Sequence, residues 1–257
     1  MRQGLKWLYR QAAGVLACCL LLLVPAGAIQ LVDGPAQAPL AGRVQLAIES
    51  FRILNAYPDK TFRGERPFTR YELADALWRS LSYLRQRYGV KLDDDPRIGM
   101  IFQAYLRPGG DIPERHWAAP ALSRVLGYGL MNGTADLQFH GPAKVSRYML
   151  ALSLERMLEW LQVAPVKLQS RQPRDVPSDH WAAEAVNKLV EAGIFELDAS
   201  GNFAGEQPAT RYDLAETLVR LLQQVDLVAQ QRPLVPKEVV VVPVAPAKRP
   251  DGRVISR

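Results

Sequence analysis

The sequence predicts an all-α fold in which three helix-loop-helix repeats pack as a pseudo-threefold assembly. Residues 111–160 align with residues 175–224 without a gap, and 18 of the 50 aligned positions are identical. A third copy is visible at residues 44–83. Each copy carries leucines four residues apart, a spacing typical of one face of an amphipathic helix. Such helices cannot bury their apolar faces alone, so we expect the three copies to pack together.

Repeats two and three share a motif at their front ends. The order Asp-x-Pro-x-x-His-Trp-Ala-Ala-x-Ala begins at Asp111 and again at Asp175. It predicts a first helix that ends at Gly129 or Gly193, where a left-handed residue is favoured. In repeat one, Pro39-Leu40-Ala41 stands where His-Trp-Ala is expected, so that repeat is degenerate at its start.

A second helix is predicted in every repeat, and each begins with a hydroxyl side chain followed by arginine and tyrosine. Thr69 with Glu72 three residues later has the pattern of a capping box, and Thr210 with Asp213 approximates one. Ser146 stands at the same place in repeat two. The predicted buried leucines on these helices are Leu73, Leu77, Leu81, Leu150, Leu154, Leu158, Leu214, Leu218 and Leu222.

These elements predict six segments in the chain. They are a signal peptide at 1–28, repeat one at 42–88, an insertion at 89–110, repeat two at 111–164, repeat three at 175–225, and an extended Pro- and Val-rich tail at 226–257. A short helix is expected around residues 98–106 of the insertion. The tail is a candidate contact for another envelope protein.

The first 28 residues have the features of a secretory signal. Three basic residues lie within the first ten positions, and the apolar run that follows is shorter than the ~20 residues that a membrane span needs. Ala26-Gly27-Ala28 then offers small residues for cleavage. We therefore expect an exported protein that is not transmembrane once processed. An alternative is lipidation of Cys18, which with Cys19 makes up the cysteine content of the chain.

Several function classes are disfavoured by composition and motifs. The formal net charge is +6, and three of these charges lie in the signal segment, which leaves no electrostatic footprint for nucleic acid. No P-loop, nucleophile elbow, dinucleotide fingerprint or His-Glu-x-x-His motif occurs, so neither an enzyme nor a cofactor is expected. His116 and His180 are a poor metal pair and are expected to hydrogen-bond at a helix start. The acidic run Asp93-Asp94-Asp95 lacks the spacing of a calcium loop.

The order of these motifs resembles that of the S-layer homology domain family over residues 42–225. The matching elements are Asp-Val-Pro-x-x-His-Trp-Ala, a helix ended by glycine, and Phe-x-Gly-x-x-Pro-x-Thr-Arg-Tyr. The resemblance implies a three-pronged helical assembly that anchors surface proteins to secondary wall polysaccharide or a peptidoglycan-linked polymer, often one bearing a pyruvate ketal. It also implies that the exported protein belongs to the cell envelope, in the periplasm or on the outer wall. The family's Asp-Gly-Thr-Phe loop is altered in every copy: Asp59 and Asp136 remain in repeats one and two, whereas repeat three has Ser200.

The candidate ligand site centres on Arg70, Arg147 and Arg211, each at the first position of a predicted helix. A cation there opposes the helix dipole at a cost of about 0.3–1 kcal/mol, so we expect an anion nearby. A helix N-terminus with a guanidinium group is a good carboxylate receptor, and a pyruvylated glycan offers such a carboxylate. The supporting residues are Thr69, Glu72, Ser146, Thr210, Asp213, Asp59, Asp136, Trp117 and Trp181.

Three alternatives stay open from the sequence. Each arginine can instead pair with an acid of a neighbouring repeat and hold the repeats together. Trp117 and Trp181 begin apolar stripes, where an indole belongs to the core more often than to a sugar platform. The repeats as a whole can be a degenerate scaffold that binds proteins and no glycan.

Overall fold

A computed structural model describes residues 29–92, 102, 110–113, 115–134, 136 and 138–237. Within these residues the secondary structure is helical, with three isolated β-bridges and no strand. The predicted all-α class is confirmed, whereas the threefold symmetry of the assembly stays a prediction. The signal peptide, Cys18, the run at 93–95 and the tail beyond residue 237 lie outside the described residues, as does nearly all of the helix expected at 98–106.

The helices of the described residues fall into two series. The first series is α1 (Ala38–Gln45), which continues into a π-helical turn (Leu46–Ser50), α3 (Ala119–Gly127) and α5 (Ala183–Glu191). The second series is α2 (Arg70–Tyr88), α4 (Arg147–Trp160) and α6 (Arg211–Ala229). The helix-loop-helix order predicted from the repeats is therefore present three times along the chain.

The second series of helices begins where the sequence predicts. The side chains of Thr69, Ser146 and Thr210 each accept a hydrogen bond from the backbone N–H three residues later. Full capping boxes form at α2 and α6, but α4 has Met149 at the third position, which cannot return the bond. Gly129 and Gly193 follow the first helices with φ of +70° and +68°, which confirms the left-handed residue expected there.

The predicted leucine faces form the core. All nine leucines predicted on α2, α4 and α6 are fully buried. Burial of one leucine side chain stabilises the fold by about 1.5–3 kcal/mol, so this set is a major part of the driving force.

Each second helix packs against the first helix of the following repeat. Helix α2 contacts α3, α4 contacts α5, and α6 returns to contact α1 and the π-helical turn. Helix α6 also contacts both α2 and α4. The contacts therefore pass from each repeat to the next and from the last back to the first, forming three junctions.

A tyrosine and a glycine meet at each junction. Tyr71 packs on Gly141, Tyr148 on Gly205 and Tyr212 on Gly64, and each tyrosine N–H donates to the carbonyl of the same glycine at 2.9–3.1 Å. A Cβ atom built at Gly141 would lie 1.9 Å from Cζ of the Tyr71 ring. These glycines are required by close approach of the ring, and no other side chain fits at that place.

The assembly has two distinct ends. At one end the segments that precede α2, α4 and α6 pair through the bridges Pro67–Thr210, Thr69–Lys144 and Ser146–Pro208. At the other end the hydroxyl of Tyr88, the last residue of α2, donates to Asp226 near the end of α6 at 2.7 Å. The second helices therefore begin together at one end, which places their first-turn tyrosines and arginines there.

Burial raises the pKa of Asp226, against the opposing effects of the Tyr88 hydrogen bond and the Arg87 charge. A raised pKa in the folded state means that the ionised carboxylate costs stability at neutral pH, and that this cost disappears as the pH falls through that pKa. Asp226→Asn keeps an oxygen acceptor for Tyr88 but removes the charge. We expect a higher melting temperature than that of the wild type at pH 7 and a smaller difference near pH 4. A variant that melts lower at pH 7 would contradict this sign.

Candidate functional site

An aspartate at the head of each repeat shapes the loop before the second helix. Its two carboxylate oxygens accept from two consecutive backbone N–H groups at 2.5–2.8 Å. The sets are Asp33 with Phe62 and Arg63, Asp111 with Phe139 and His140, and Asp175 with Phe203 and Ala204. The loops at the three junctions are thus held in the same way.

Asp33 is a structural residue that the sequence comparison missed, although a signal was present. Asp33-Gly34-Pro35 keeps the Asp-x-Pro pattern of the other repeats. However, 29 positions separate Asp33 from Phe62, whereas 28 separate Asp111 from Phe139, so a gapless alignment loses the match. A π-helical turn holds one residue more than an α-helical turn, and the turn at Leu46–Ser50 accounts for the difference.

The three candidate arginines make equivalent bonds across the junctions. Each Nε donates to the carbonyl of a buried phenylalanine of the next repeat: Arg70 to Phe139 at 2.7 Å, Arg147 to Phe203 at 2.9 Å, and Arg211 to Phe62 at 2.9 Å. Each Nη2 donates to a second carbonyl: those of Asn132 at 2.5 Å, Glu196 at 3.4 Å and Asn55 at 2.8 Å. Arg70 and Arg211 are only 6% exposed, so these bonds lie in the interior of the junctions.

Arg147 and Arg211 also pair with an acid of the next repeat. Arg147 forms an ion pair with Asp213, and Nη1 of Arg211 lies 3.8 Å from Oε1 of Glu72. These acids are the capping residues of α6 and α2, so one carboxylate serves both a helix start and a junction. These contacts agree with the alternative interpretation, in which each arginine pairs with an acid of a neighbouring repeat and holds the repeats together. Their role toward a glycan carboxylate stays a prediction.

Asp59 and Asp136 lie in the loops between the first and second helices of repeats one and two, and each accepts hydrogen bonds from residues of its own turn. Asp59 accepts from the N–H and hydroxyl of Thr61 and from Arg63, which lowers the pKa of Asp59 to about 2. Asp136 accepts from the N–H of Gln138 at 3.1 Å and lies 2.9 Å from Nε2 of His140. In repeat three Asp198 stabilises the corresponding turn, because its carboxylate accepts from the backbone N–H groups of Ser200 and Asn202.

Trp117 and Trp181 are each 60% exposed, so the core position favoured by the sequence is wrong. The reason is that α3 and α5 begin two residues after each tryptophan, and the apolar face of the helix therefore starts later than the sequence pattern indicates. The indole rings lie on the surface beside the junctions.

Each tryptophan belongs to an aromatic platform, by which we mean the tyrosine, histidine and tryptophan of one junction. In the first platform Tyr71 lies 4.0 Å from His116 and 6.2 Å from Trp117, measured between ring centroids. In the second, Tyr148 lies 4.4 Å from His180 and 5.7 Å from Trp181. The rings of one repeat thereby cover the tyrosine of the preceding repeat.

The histidines of the platforms are fixed by hydrogen bonds at the helix start, which confirms the role expected for them. Nδ1 of His116 accepts from the N–H of Ala118, and Nδ1 of His180 accepts from the N–H of Ala182, both at 3.2 Å. A neutral imidazole that accepts at Nδ1 carries its proton on Nε2, which makes Nε2 a donor. Burial lowers the pKa of His116, which favours this neutral form.

The junction between repeats three and one has no such platform. With the register set by Asp33, Ala38 and Pro39 stand at the positions of the histidine and the tryptophan, one residue earlier than the gapless alignment indicates. Instead, three guanidinium groups surround the ring of Tyr57: those of Arg63, Arg66 and Arg211, at 4.2, 5.9 and 5.0 Å from its centroid. A groove of about 200 Å³ lies beside this cluster, and its walls include Glu72 and Asp75. Burial lowers the pKa of Arg211; Tyr57 and Glu72 act in the opposite direction, and the positive charges of Arg66 and Arg63 act in the same direction as burial.

The fold and junctions define a protein of helical repeats in which the last repeat contacts the first. Comparison with known proteins gives a match for repeat three. The family described as the S-layer homology domain matches residues 174–215. Residues 174–215, most of repeat three, are therefore similar to an S-layer homology domain, which confirms the recognition of this family from the sequence.

Several curated proteins are similar to parts of the chain. Cell surface glycoprotein 1 of Acetivibrio thermocellus is 25% identical over 178 residues, which are 66% of this chain and 7% of that protein. Outer membrane protein SlpA of Thermus thermophilus is 46% identical over 52 residues, 20% of this chain and 6% of that protein. The cellulosome-anchoring protein of A. thermocellus is 24% identical over 155 residues, 58% of this chain and 30% of that protein. The chain thus spans a minor part of each relative's length.

Two features are absent from the part of the chain that the structure describes. None of its helices combines the length and the apolar character that crossing a membrane requires. In the same residues, no three histidine, cysteine or acidic side chains are grouped as metal ligands would be.

Proposed function

We propose that the protein is a non-catalytic anchor of the cell envelope whose repeat junctions bind an anionic cell-wall polysaccharide or peptidoglycan-linked polymer. The observation that carries the proposal is the pair of aromatic platforms, each of which presents a largely exposed indole at a junction. The family match and the names of the relatives, which include an anchoring protein and a cell surface glycoprotein, support the same role.

The platforms suit a sugar ring. An indole offers a flat apolar surface with a polar edge, against which the C–H face of a pyranose packs. The neighbouring histidine adds an Nε2 donor for a hydroxyl group, since its Nδ1 is already occupied. Because a polysaccharide repeats its units, two platforms on one chain that reach the same polymer bind it more tightly than either platform alone.

The cationic junction suits the acidic substituent of the polymer, such as the carboxylate of a pyruvate ketal. Arg63, Arg66 and Arg211 bring three positive charges around Tyr57, with Asp59 and Glu72 as nearby acids. The three arginines outnumber these two acids by one. A carboxylate beside Arg63 and Arg66, which do not line the groove with Glu72 and Asp75, would accept charge-assisted hydrogen bonds. Binding through this junction is expected to weaken with salt, because its groups are partly exposed.

The test is co-sedimentation of the processed chain with purified cell-wall sacculi. Replacement of both Trp117 and Trp181 by alanine is expected to weaken binding by about 100-fold, and each single replacement by about tenfold, because the two platforms are separate sites whose contributions to the binding free energy add. Leu168→Ala is the matched control, since Leu168 is 59% exposed and belongs to no junction. The melting temperatures of all variants are expected to stay near that of the wild type.

Chemical removal of pyruvate from the sacculi tests the anionic part separately. We expect weaker binding of the wild type and a smaller salt dependence. If the double variant binds sacculi as the wild type does, the glycan proposal is wrong and the protein-binding scaffold is favoured. That alternative is supported by the bonds that Arg70, Arg147 and Arg211 already make within the protein.

A further inference from the structure

The backbone nitrogen of Ile29 donates a hydrogen bond to the carboxylate of Glu49. Ile29 directly follows Ala26-Gly27-Ala28, the small residues predicted to precede the signal cleavage site. We infer that Glu49 binds the α-ammonium group of a mature chain that begins at Ile29. The inference goes beyond the anchoring function and does not depend on glycan binding.

The residues that follow Ile29 are tied closely to the fold. The N–H of Val32 donates to the carbonyl of Lys60 at 3.0 Å, and Asp33 holds the loop of repeat one through its carboxylate. The carbonyl of Asp33 accepts from the hydroxyl of Tyr212, in repeat three, at 3.1 Å. The segment from Ile29 to Asp33 therefore touches both partners of the junction that joins the last repeat to the first.

Processing changes the chemistry of the Ile29 nitrogen. A signal peptidase hydrolyses the Ala28–Ile29 peptide bond with one water molecule: the new carboxylate leaves on Ala28, and the Ile29 nitrogen becomes an amine that takes up a proton. Before cleavage this nitrogen is a neutral amide with one N–H. After cleavage it is a cation with three donors, so its contact with Glu49 becomes an ion pair.

Glu49 is placed for this contact by the π-helical turn. It lies within the turn Leu46–Ser50, which packs against α6 of repeat three. The ion pair would therefore fix the new amino terminus at the junction between repeats three and one. We expect signal removal to stabilise this junction, in addition to releasing the protein from its export signal.

The first test is the mass and amino-terminal sequence of the protein secreted from full-length precursor, for which a start at Ile29 is expected.

The second test is a double-mutant cycle on the secreted chain. It combines the substitution Glu49→Gln with chemical acetylation of the α-amine. Either change alone is expected to raise the unfolding equilibrium constant by about two- to fivefold, the range of an exposed ion pair, and the second change is expected to add little to the first.

Glu206→Gln is the matched control, since Glu206 is exposed and lies in repeat three. Its effect is expected to be independent of acetylation. A mature chain that starts elsewhere overturns the inference, and so do strictly additive effects of Glu49→Gln and acetylation. Sacculus binding is read separately, so a failure of the anchoring proposal does not alter this result.

Discussion

Gly141→Ala is expected to lower the free energy of unfolding by about 3 kcal/mol, the upper part of the range for overpacking a tight contact. The added methyl carbon would lie 1.9 Å from Cζ of Tyr71, which is closer than any two non-bonded carbons approach. The ring cannot move away easily, because Tyr71 is 7% exposed and its N–H is bonded to the carbonyl of Gly141. Urea denaturation measures the change.

Gly129→Ala is the matched control. Its backbone has φ of +70°, but a Cβ atom there would meet nothing within 4 Å. The expected cost is about 1 kcal/mol, from the left-handed conformation alone. Adding Tyr71→Ala to Gly141→Ala is expected to cost less than the two single changes added together, because the clash is gone. Equal costs for the two glycine variants would show that Tyr71 and Gly141 do not pack as described.

Arg211→Met is expected to destabilise the protein by about 3–5 kcal/mol. Methionine retains the apolar length of the side chain, but it leaves the carbonyls of Phe62 and Asn55 without the donors that now reach them at 2.9 and 2.8 Å. It also removes a guanidinium that lies 4.7 Å from the centroid of the Phe62 ring. Loss of one partner from a buried charged hydrogen-bond network typically has a cost of this size.

Arg79→Met is the matched control, because Arg79 pairs with Asp75 on the partly exposed side of α2. Its expected cost is below about 1 kcal/mol. Both variants are measured by thermal and urea denaturation and then by sacculus binding. The comparison separates a role of Arg211 in stabilising the junction from a role in binding the ligand. If Arg211→Met unfolds like the wild type but no longer binds sacculi, the guanidinium serves the ligand and not the junction.

The helices and their buried faces could be predicted from the sequence because their determinants are local. Thr210 and Asp213 are three residues apart, and Leu214, Leu218 and Leu222 follow at the helical period. The closure between Tyr212 and Gly64 could not be predicted in this way, since it joins residues 148 positions apart. The repeat pattern indicated which residues correspond, but not which residue of another repeat each one touches.

The candidate site was harder to predict than the fold. Arg70, Arg147 and Arg211 were found from their position at a helix start, but the carbonyls that they bind belong to other repeats. The exposure of Trp181 depends on where α5 begins. The N-cap residue there is Ala182, whose side chain makes no capping hydrogen bond, so the sequence does not indicate this helix boundary. The Tyr57 cluster has no counterpart in the other repeats, so comparison of the repeats could not reveal it.

The return of α6 onto α1 has a consequence for how the chain folds and evolves. In an open solenoid each unit touches only its neighbours, so stability grows with the number of units and the ends can fray. Here the last unit meets the first, and no unit is terminal. Loss of any one repeat leaves a tyrosine without its glycine and an arginine without its carbonyls. We therefore expect a single cooperative unfolding transition. We also expect that a variant with one repeat deleted or added does not fold stably.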